Sequence, residues 1–310
     1  MITALAVAPL LLLGACAGDD ALTGNSGNGG EGGGEVVIAY QDYTEMSIMA
    51  EMYGALLADA GFEPTLKGVG DRAIYAAQLE SGEVDVAPEY ASSMTEYLNR
   101  EINGADAEPV ATPDLEETMA QLEELAAQKN MTPLEPAEAE DANAFAVTTE
   151  FSEQNDVTTL SDLGEYGKPV DLAAASDCPE RSDCMLGLEN VYGIEIGNFV
   201  PLGFGTTQTK EALQSGEVQL GQVGTTDATL DQFGLTLLED DKNWQNAENL
   251  VPVVNSEFLD ANPDVADILN ELSGTLTTED LASLNAQVDV DRKLPKDVAR
   301  DYLTEEGLLE

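Results

Sequence analysis

The sequence predicts an α/β protein made of two lobes of similar plan, and two observations lead to this fold class. Apolar segments of strand length alternate with apolar stripes at helical spacing, which is typical of α/β architectures. In addition, Leu-Glu-Ser-Gly-Glu-Val-Asp-Val at residues 79–86 recurs as Leu-Gln-Ser-Gly-Glu-Val-Gln-Leu at residues 213–220. A separation of 134 residues is too long for a solenoid and indicates two lobes, with chance similarity as the alternative.

Individual elements follow from the same patterns. Residues 36–39 are all apolar and predict a buried strand, and residues 44–60 carry an apolar stripe that predicts a helix. A second clear helix is predicted over residues 114–129. Near the end of the chain, residues 263–272 and 278–285 predict two short helices.

Both copies of the repeat predict the end of a helix, a Ser-Gly turn and a short strand. The segments that follow, residues 87–93 and 221–227, then leave the carboxyl ends of two strands. Ligands of open α/β sheets bind beyond such ends. We therefore expect a binding site to which each lobe contributes one of these segments.

The N-terminus predicts export. An uncharged apolar run closes in Leu13-Gly14-Ala15-Cys16, and a Gly-rich polar tract follows. We interpret residues 1–15 as a signal peptide, Cys16 as a lipid-modified residue of bacterial lipobox type, and residues 16–35 as a flexible tether. The alternative is a buried apolar segment with a chance cysteine. Signal peptides begin with basic residues, whereas the first basic residue here is Lys67, so we expect the true start to lie upstream of Met1.

The charge of the chain is extreme, with 60 acidic residues against 12 basic ones and no histidine among 310 residues. The acids are spread along the chain, which predicts a solvated anionic surface suited to high salt. Nucleic acid is excluded as a partner because phosphate binding needs a basic patch. Strong net charge disfavours self-association, so we expect a monomer.

Two further cysteines, Cys178 and Cys184, are separated by five residues. In an exported chain such a pair predicts a disulfide, and metal binding is the weaker alternative because zinc prefers four Cys or His ligands. The closed loop would either line a site or only stiffen the chain. No cofactor is predicted.

The chain resembles the extracellular substrate-binding proteins of osmoprotectant ABC importers, which bind glycine betaine, carnitine and choline. The resemblance covers about residues 36–309 and depends on the order of several short motifs. These are Gln-Asp-Tyr-Thr-Glu at 41–45, Ser-Gly-Glu-Val-Asp at 81–85, Pro-Glu-Tyr at 88–90, Leu-Ser-Asp-Leu at 160–163, Gly-Leu-Glu-Asn-Val-Tyr-Gly at 187–193, Thr-Thr-Asp at 225–227, Leu-Glu-Asp-Asp-Lys at 238–242 and Leu-Asn-Ala-Gln-Val-Asp at 284–289.

The resemblance implies a type II periplasmic-binding-protein-like fold whose two lobes are joined by two crossing hinge segments. It places the first lobe at residues 36–142 plus 228–310 and the second at 143–227. The crossings would then fall near residues 142–143 and 226–227. The implied partners are a small solute and a permease with its ATPase, and the implied location is the outer face of the membrane, where a lipid anchor holds the protein.

The resemblance also implies an aromatic cage, because a trimethylammonium group is held by cation–π contacts. The tyrosine of the Pro-Glu-Tyr motif is present as Tyr90, with a structural role at the lobe rim as its alternative. The other three cage positions fall at Gly224, Met185 and Asn143, and Phe145 lies two residues beyond the last of these. Either nearby aromatic residues fill the cage, or the ligand is not a small quaternary amine. An amino acid or a larger betaine such as ergothioneine is then the alternative solute.

Further candidate contacts are polar or aromatic residues near the strand ends. Those predicted to contact ligand are Gln41, Asp42, Tyr43, Ser93, Thr225 and Thr226. Arg72 would grip a ligand carboxylate or else form an ion pair with one of the many acids. Tyr40 is a further aromatic residue that could complete the cage, whereas Trp244 is predicted to serve in packing rather than in ligand binding.

Three functions remain to be compared. A solute-binding lipoprotein of an ABC importer agrees with the export signal, the repeat and the motifs. An extracellular enzyme on the same scaffold has no support, because the chain lacks histidine for acid–base chemistry and a free cysteine once the pair is oxidised. A ligand sensor without a transport role would share every sequence feature of the binding protein.

Overall fold

The computed structural model describes residues 33–309. The predicted signal peptide, Cys16 and the tether as far as residue 32 lie outside the described residues, so lipidation remains a prediction. None of the helices in the described range combines the length and apolarity that crossing a bilayer requires.

The strands of the described chain are numbered in sequence order. They are β1 (Glu35–Gln41), β2 (Glu63–Val69), β3 (Val86–Tyr90), β4 (Met131–Pro133), β5 (Asn143–Thr148), β6 (Val170–Ala174), β7 (Ile196–Pro201), β8 (Leu220–Gly224), β9 (Leu235–Leu238) and β10 (Leu250–Asn255).

The α-helices are numbered in the same way. They are α1 (Thr44–Asp59), α2 (Arg72–Ser81), α3 (Ala91–Asn103), α4 (Leu115–Ala127), α5 (Thr149–Asn155), α6 (Leu160–Glu165), α7 (Met185–Tyr192), α8 (Thr207–Ser215), α9 (Ser256–Ala261), α10 (Asp264–Ser273), α11 (Thr278–Asp289) and α12 (Pro295–Glu305). Short 3-10 turns occur at Cys178–Glu180 and Leu230–Phe233.

The strands form two five-stranded sheets with the same topology. Their orders are β2-β1-β3-β10-β4 and β7-β6-β8-β5-β9. In each sheet the first three strands are parallel, and the fourth runs antiparallel to both of its neighbours. Each sheet is covered by apolar clusters, so each has its own hydrophobic core. The predicted two-lobed α/β fold is confirmed.

The internal repeat corresponds to equivalent turns in the two sheets. Gly82 ends α2 with φ 77°, and Gly216 ends α8 with φ 76°, a left-handed conformation that glycine adopts without steric cost. Each turn leads into the central strand of its sheet, β3 or β8. The residue just before each central strand makes an equivalent hydrogen bond to the neighbouring strand. Asp85 accepts from the backbone N–H of Val37 in β1, and Gln219 accepts from that of Asp171 in β6.

The four helices predicted from periodicity are confirmed as α1, α4, α10 and α11, and the first strand as β1. The largest difference is at α11, which continues to Asp289 instead of ending at residue 285. Its start is set by a capping box, in which the hydroxyl of Thr277 accepts from the N–H of Asp280 and the carboxylate of Asp280 accepts from the N–H of Thr277.

The second crossing lies later than the sequence predicts. Strand β9 pairs with β5 over residues 235–238, so the chain stays with the second sheet beyond residue 227. It rejoins the first sheet at β10, which begins at Leu250. The predicted start of the returning lobe at residue 228 is therefore wrong. The reason is that β9 covers the outer edge of β5, whose backbone groups would otherwise lack partners.

The two crossing segments are joined to each other and to the disulfide loop. Glu140 and Asn249 form an isolated antiparallel bridge between them. The predicted disulfide between Cys178 and Cys184 is present, with Cα atoms 5.2 Å apart. The backbone carbonyl of Asp183 accepts from Asn143 Nδ2 at 2.5 Å and from Gln245 Nε2 at 3.1 Å. The closed loop thereby contacts both crossings.

Candidate ligand-binding cleft

A cavity of about 400 Å³ lies between the carboxyl ends of the parallel strands of the two sheets. Its volume falls in the range of small-molecule sites. The first sheet contributes residues at the start of α1 and along α11, and the second contributes the loops after β7 and β8. The lining residues are Tyr43, Thr44, Glu45, Asp141, Phe204, Gly205, Lys210, Gly224, Thr226, Asp227, Ala228, Thr229, Asn285 and Asp289.

A larger groove of about 600 Å³ lies on the outside of the first lobe, along α1, β2 and α12. It receives no residue from the second sheet and lies away from the carboxyl ends of the strands. Because ligands of α/β proteins bind at those ends, we place the functional site in the cleft between the lobes.

Two tyrosines from the first lobe meet beside the cleft. Tyr43 is the N-cap residue of α1 and is 41% exposed, whereas Tyr90 at the end of β3 is 6% exposed. The hydroxyl of Tyr43 donates to that of Tyr90 over 3.3 Å, and Tyr90 donates in turn to the carboxylate of Glu45. Burial raises the pKa of Tyr90 above its usual range, so Tyr90 stays a neutral donor.

Glu45 is a carboxylate buried in the first turn of α1, with 3% of its surface exposed. Its second oxygen accepts from Asn285 Nδ2 at 2.6 Å. Burial, and then the nearby charge of Asp141, raise the pKa of Glu45 to about 7, although hydrogen bonds from Tyr90, Asn285 and Thr226 oppose the rise. The group therefore changes its charge near neutral pH.

Asp141 brings a second carboxylate from the first crossing segment into the cleft lining. Burial raises its pKa, and hydrogen bonds from Thr226 partly offset this effect. Within residues 33–309, Asp141 Oδ1 and Asn285 Oδ1 are two of only three buried side-chain atoms that have no hydrogen-bond partner. Both belong to residues that line the cleft.

The second lobe contributes an aromatic ring that faces the same region. Phe204 is 48% exposed and lies in a loop between Gly203 and Gly205, which have φ values of 101° and 56°. A Cβ atom added to Gly224 would lie 2.8 Å from Asp141 Oδ1 and 3.5 Å from Phe204 Cζ. Position 224 therefore has no room for a side chain, because the carboxylate of Asp141 lies directly against this glycine.

Lys210 is the one basic residue in the cleft lining, and it is neutralised within its own lobe. Its ammonium lies 2.6 Å from a carboxylate oxygen of Asp227 and donates to Thr229 Oγ1 over 2.6 Å. Asp289 accepts from Thr44 Oγ1 at 2.6 Å, a bond that leaves its charge in place. With Lys210 paired, the cleft favours a cationic ligand group.

The structure brings three of the residues predicted to bind ligand together at the cleft. Tyr43 and Thr226 line it, and Tyr90 contacts two lining residues through its hydroxyl. Thr226 is 5% exposed, and its backbone carbonyl lies 3.4 Å from Asn285 Nδ2.

Phe145 is not a cage residue. It is completely buried in the second lobe and stacks on Trp244, with ring centroids 6.2 Å apart and planes inclined by 15°. The alternation of side chains along β5 directs this residue into the core. Trp244 also meets Tyr192 edge-on, which agrees with its predicted role in packing.

Two residues of the crossings are engaged in holding the backbone. Thr225 Oγ1 accepts from the N–H of Ala142 at 2.9 Å and donates to the carbonyl of Glu140 over 3.1 Å. Asn143 donates to the disulfide loop and accepts from Gln222 Nε2 at 2.7 Å. Their side-chain polar groups thus bond to the protein itself.

Arg72 and Ser93 are likewise bonded within the first lobe. Arg72 Nε and Nη2 donate to the carboxylate of Glu89, which is fully buried, so the ion-pair alternative describes this residue. Burial opposes the charge of Arg72, but its pKa is raised because Glu89 stabilises the cation. Ser93 donates through Oγ and its N–H to Glu248, at 2.9 Å and 3.1 Å.

The remaining predicted contacts lie apart from the cavity lining. Gln41 is half-buried and Asp42 is exposed at the end of β1. Met185 starts α7 and packs against the core of the second lobe. Tyr40 packs against the core of the first lobe rather than completing a cage.

Sequence reasoning missed Glu45, Asp141, Phe204, Asn285 and Lys210. Two of these could have been recognised from the sequence, because Glu45 and Asn285 are polar residues on the apolar stripes of α1 and α11. Phe204 carried another, since an aromatic residue flanked by two glycines is exposed on a turn. Asp141 and Lys210 carried none, because nothing distinguishes them locally from other charged residues.

Comparison with known proteins identifies relatives across nearly the whole described chain. Residues 34–305 match the sequence profile of the substrate-binding domain of ABC-type glycine betaine transport systems. The glycine betaine-binding protein YehZ of Escherichia coli K12 is 27% identical over 275 residues, which cover 85% of this chain and 88% of that protein.

Structural comparison gives the same assignment. The solved apo structure of Escherichia coli YehZ superimposes with a TM-score of 0.76 at 26% identity, covering 89% of this chain and 99% of that one.

A further relative in sequence matches only part of the chain. An ergothioneine transport permease and binding protein of Helicobacter pylori is 28% identical over 165 residues, covering 53% of this chain and 30% of that protein.

Proposed function

Because the chain belongs to the family of substrate-binding domains of ABC-type glycine betaine transport systems, we propose that it captures a small cationic or zwitterionic amine of the glycine betaine and choline type. The family consists of solute-binding components of importers, so the chain is a binding protein and not an enzyme. Such a domain works outside the membrane with a permease and an ATPase.

The observation that carries the proposal is the composition of the cleft. Aromatic rings from both lobes, Tyr43 and Phe204, line the same cavity as the carboxylates of Glu45 and Asp141. Rings attract a cation through their negative faces, and carboxylates attract it through their charge. Neither interaction changes the ligand chemically, and a transport binding protein must release its ligand unchanged.

Capture would follow from closure of the two lobes about the paired crossings. A solute that contacts both lobes favours the closed state by its differential affinity for that state. Removal of water on closure strengthens the electrostatic contacts to the head group. The permease would then recognise the closed form.

A binding screen tests this proposal. Purified protein in concentrated KCl is titrated with glycine betaine, choline, carnitine, ergothioneine and proline while thermal unfolding is followed. A ligand in hundredfold to thousandfold excess over its Kd should stabilise the fold by about 3–4 kcal/mol. No shift with any of these solutes would refute the proposal, and a shift with ergothioneine alone would favour the larger betaine.

Two variants test whether the ligand binds in the cleft. Tyr43→Ala should weaken binding of the stabilising ligand by several fold, because one cation–π contact contributes about 0.5–2 kcal/mol. Tyr97→Ala removes a partly exposed tyrosine of α3 outside the cavity and is the matched control. Equal loss of affinity in both variants would contradict this placement.

We also propose that the protein is a monomer held at the outer face of the membrane by lipid on Cys16. The Leu-Gly-Ala-Cys motif and the Gly-rich tract that follows support this anchoring. Cys16→Ser should release the protein from the membrane fraction of cells. Retention of the variant in that fraction would refute lipid anchoring without affecting the proposal on solute binding.

A further inference from the structure

Glu45 is a buried carboxyl group at the cleft that has no basic partner. It belongs to the cavity lining, and its two oxygens contact the hydroxyl of Tyr90 and Asn285 Nδ2. Lys210, the one basic residue of the lining, pairs with Asp227 at 2.6 Å. Because a buried charge needs a countercharge, a proton on Glu45 takes that role in the ligand-free protein.

The ionisable groups around Glu45 are mostly acidic or phenolic. Asp141 is the nearest of the acids, and its negative charge disfavours a second one on Glu45. Burial, and then this charge, raise the pKa of Glu45 to about 7. The ionisable groups on the surrounding elements are Tyr43 at the start of α1, Tyr90 and the Glu89–Arg72 pair at the end of β3, Asp141 in the first crossing, Asp289 at the end of α11, and Asp227 and Lys210 of the second lobe.

The composition of the chain makes a titration near neutral pH traceable to few groups. Histidine, the side chain that ordinarily titrates between pH 5 and pH 8, is absent. Among the described carboxyl groups, Glu45 and Glu248 have pKa values raised to about 7. Glu248 bonds to Ser93 and is not part of the cavity lining. Of these two groups, Glu45 is the one placed to respond to a ligand.

Two hydroxyl groups connect Glu45 to the cleft. The hydroxyl of Tyr90 contacts Glu45 and lies 3.3 Å from that of Tyr43, a cleft residue that is 41% exposed. When Glu45 is ionised, Tyr43 donates to Tyr90 and Tyr90 donates to Glu45. When Glu45 is protonated, both bonds can reverse, because a hydroxyl group both donates and accepts. A proton can therefore pass between Glu45 and the cleft while the carboxyl group stays buried.

We propose that capture of a quaternary ammonium group displaces the proton from Glu45, so that the solute cation exchanges for this proton. The O–H bond of the carboxyl group breaks, its electron pair stays on the carboxylate, and the proton passes by way of Tyr90 and Tyr43 to water or buffer. The head group then supplies the countercharge that the proton supplied before. The inference depends on the proposed function, because it describes how the same cleft responds to the charge of its solute.

The exchange makes the affinity depend on pH. Because the cation favours the ionised form of Glu45, affinity rises with pH up to the pKa of the ligand-free group, about 7, and levels off above it. If the bound cation restores the usual value of 4.5, proton linkage gives about tenfold tighter binding at pH 8 than at pH 6. The same linkage gives release of about half a proton for each ligand bound at pH 7.

Calorimetry with choline, glycine betaine and ergothioneine measures the exchange, because the quaternary nitrogen of these ligands neither binds nor loses a proton. Titrations in concentrated KCl at pH 7 are repeated in phosphate and in Tris, whose ionisation enthalpies differ. The change in observed binding enthalpy between the two buffers gives the number of protons released. Affinities are also measured from pH 6 to pH 8.

Two variants that each remove a buried carboxyl group assign the released proton. Glu45→Gln should lose most of the release and bind about tenfold more weakly than wild type at pH 8, close to the wild-type affinity at pH 6. Glu248→Gln removes a group whose pKa is also raised to about 7 but that lies outside the lining, so release and pH profile should stay unchanged. If Glu45→Gln does not fold, the proton count and pH profile of the wild type still decide the question.

The outcomes separate the two proposals. Affinity that is independent of pH, or binding without proton release, would overturn the exchange and leave the proposed function intact. Release that is unchanged in Glu45→Gln, or abolished in Glu248→Gln, would also overturn it. Binding of proline alone would overturn the exchange because proline has no quaternary nitrogen, and failure of every solute in the screen would refute the proposed function as well.

Discussion

Replacing Glu45 with glutamine should change how stability depends on pH. Glu45 is 3% exposed, and Tyr90, Asn285, Thr226 and Asp141 surround its carboxyl group. Its pKa rises from 4.5 to about 7, chiefly because burial disfavours the charged form. The folded protein therefore keeps this proton to a higher pH than the unfolded chain does.

The sign of the effect follows from proton linkage. Between about pH 4.5 and pH 7 the folded state binds the proton and the unfolded state does not, so the free energy of unfolding falls as pH rises. At 1.36 kcal/mol for each tenfold change in proton affinity, the full loss is about 3 kcal/mol above pH 7. Asp141, whose pKa is also raised by burial, contributes in the same direction.

Glu45→Gln keeps the size of the side chain and an acceptor for Asn285 but does not titrate. We expect the variant to gain about 3 kcal/mol relative to wild type between pH 4.5 and pH 8. The measurement is urea unfolding at several pH values in concentrated KCl. Glu124→Gln, an exposed residue of α4, reports the effect of removing one negative charge from the acidic surface.

A difference in stability between Glu45→Gln and wild type that stays constant across this pH range would refute the reasoning. So would an equal pH-dependent gain in Glu124→Gln, because it would assign the effect to the net charge of the chain. A constant offset that accompanies the pH-dependent gain would report the hydrogen bonds changed by the substitution and would not affect the reasoning.

Three further predictions concern the disulfide loop and two phenylalanines. Replacing Cys178 and Cys184 with serine should lower the free energy of unfolding by about 2 kcal/mol, measured by urea unfolding, because a short loop is no longer closed in the unfolded chain; an unchanged midpoint would contradict this. Phe145→Ala should destabilise the protein by about 3–5 kcal/mol in the same assay, since it leaves a cavity in the core, and a near-neutral effect would show that the ring is not packed there. Phe204→Ala should leave the unfolding midpoint nearly unchanged but weaken ligand binding by about twofold to thirtyfold in calorimetry, because it removes one cation–π contact from an exposed ring; a drop in stability without loss of affinity would reverse that assignment.

Much of the fold could be predicted because it depends on local patterns. The apolar stripe of residues 44–60 requires one helix face to be buried, and α1 follows it closely. The Ser-Gly turns at Gly82 and Gly216 need a left-handed residue, so their recurrence identified equivalent parts of two lobes. The crossing after β9 could not be predicted in this way, because it depends on which strand pairs with the edge of β5.

The binding cleft was predicted only in part. Tyr90 and Thr226 follow the repeated strands, so their position at the strand ends could be inferred from the sequence. Phe145 is aromatic, as a cage residue must be, yet the alternation of side chains along β5 directs it into the core. Arg72 has the chemistry to bind a carboxylate, but it already pairs with Glu89 at 2.9 Å.

The sequence by itself determined the two-lobed plan, the helices with strong periodicity, the export signal as a prediction, and the strand ends at which to look for a site. These features depend on neighbours in the chain. Only the tertiary structure decided that Glu45, Asp141 and Asn285 meet Phe204 across one cavity and that two of their oxygens lack donors. Such contacts join residues far apart in sequence, and their strength is set by burial, which no local pattern of residues specifies.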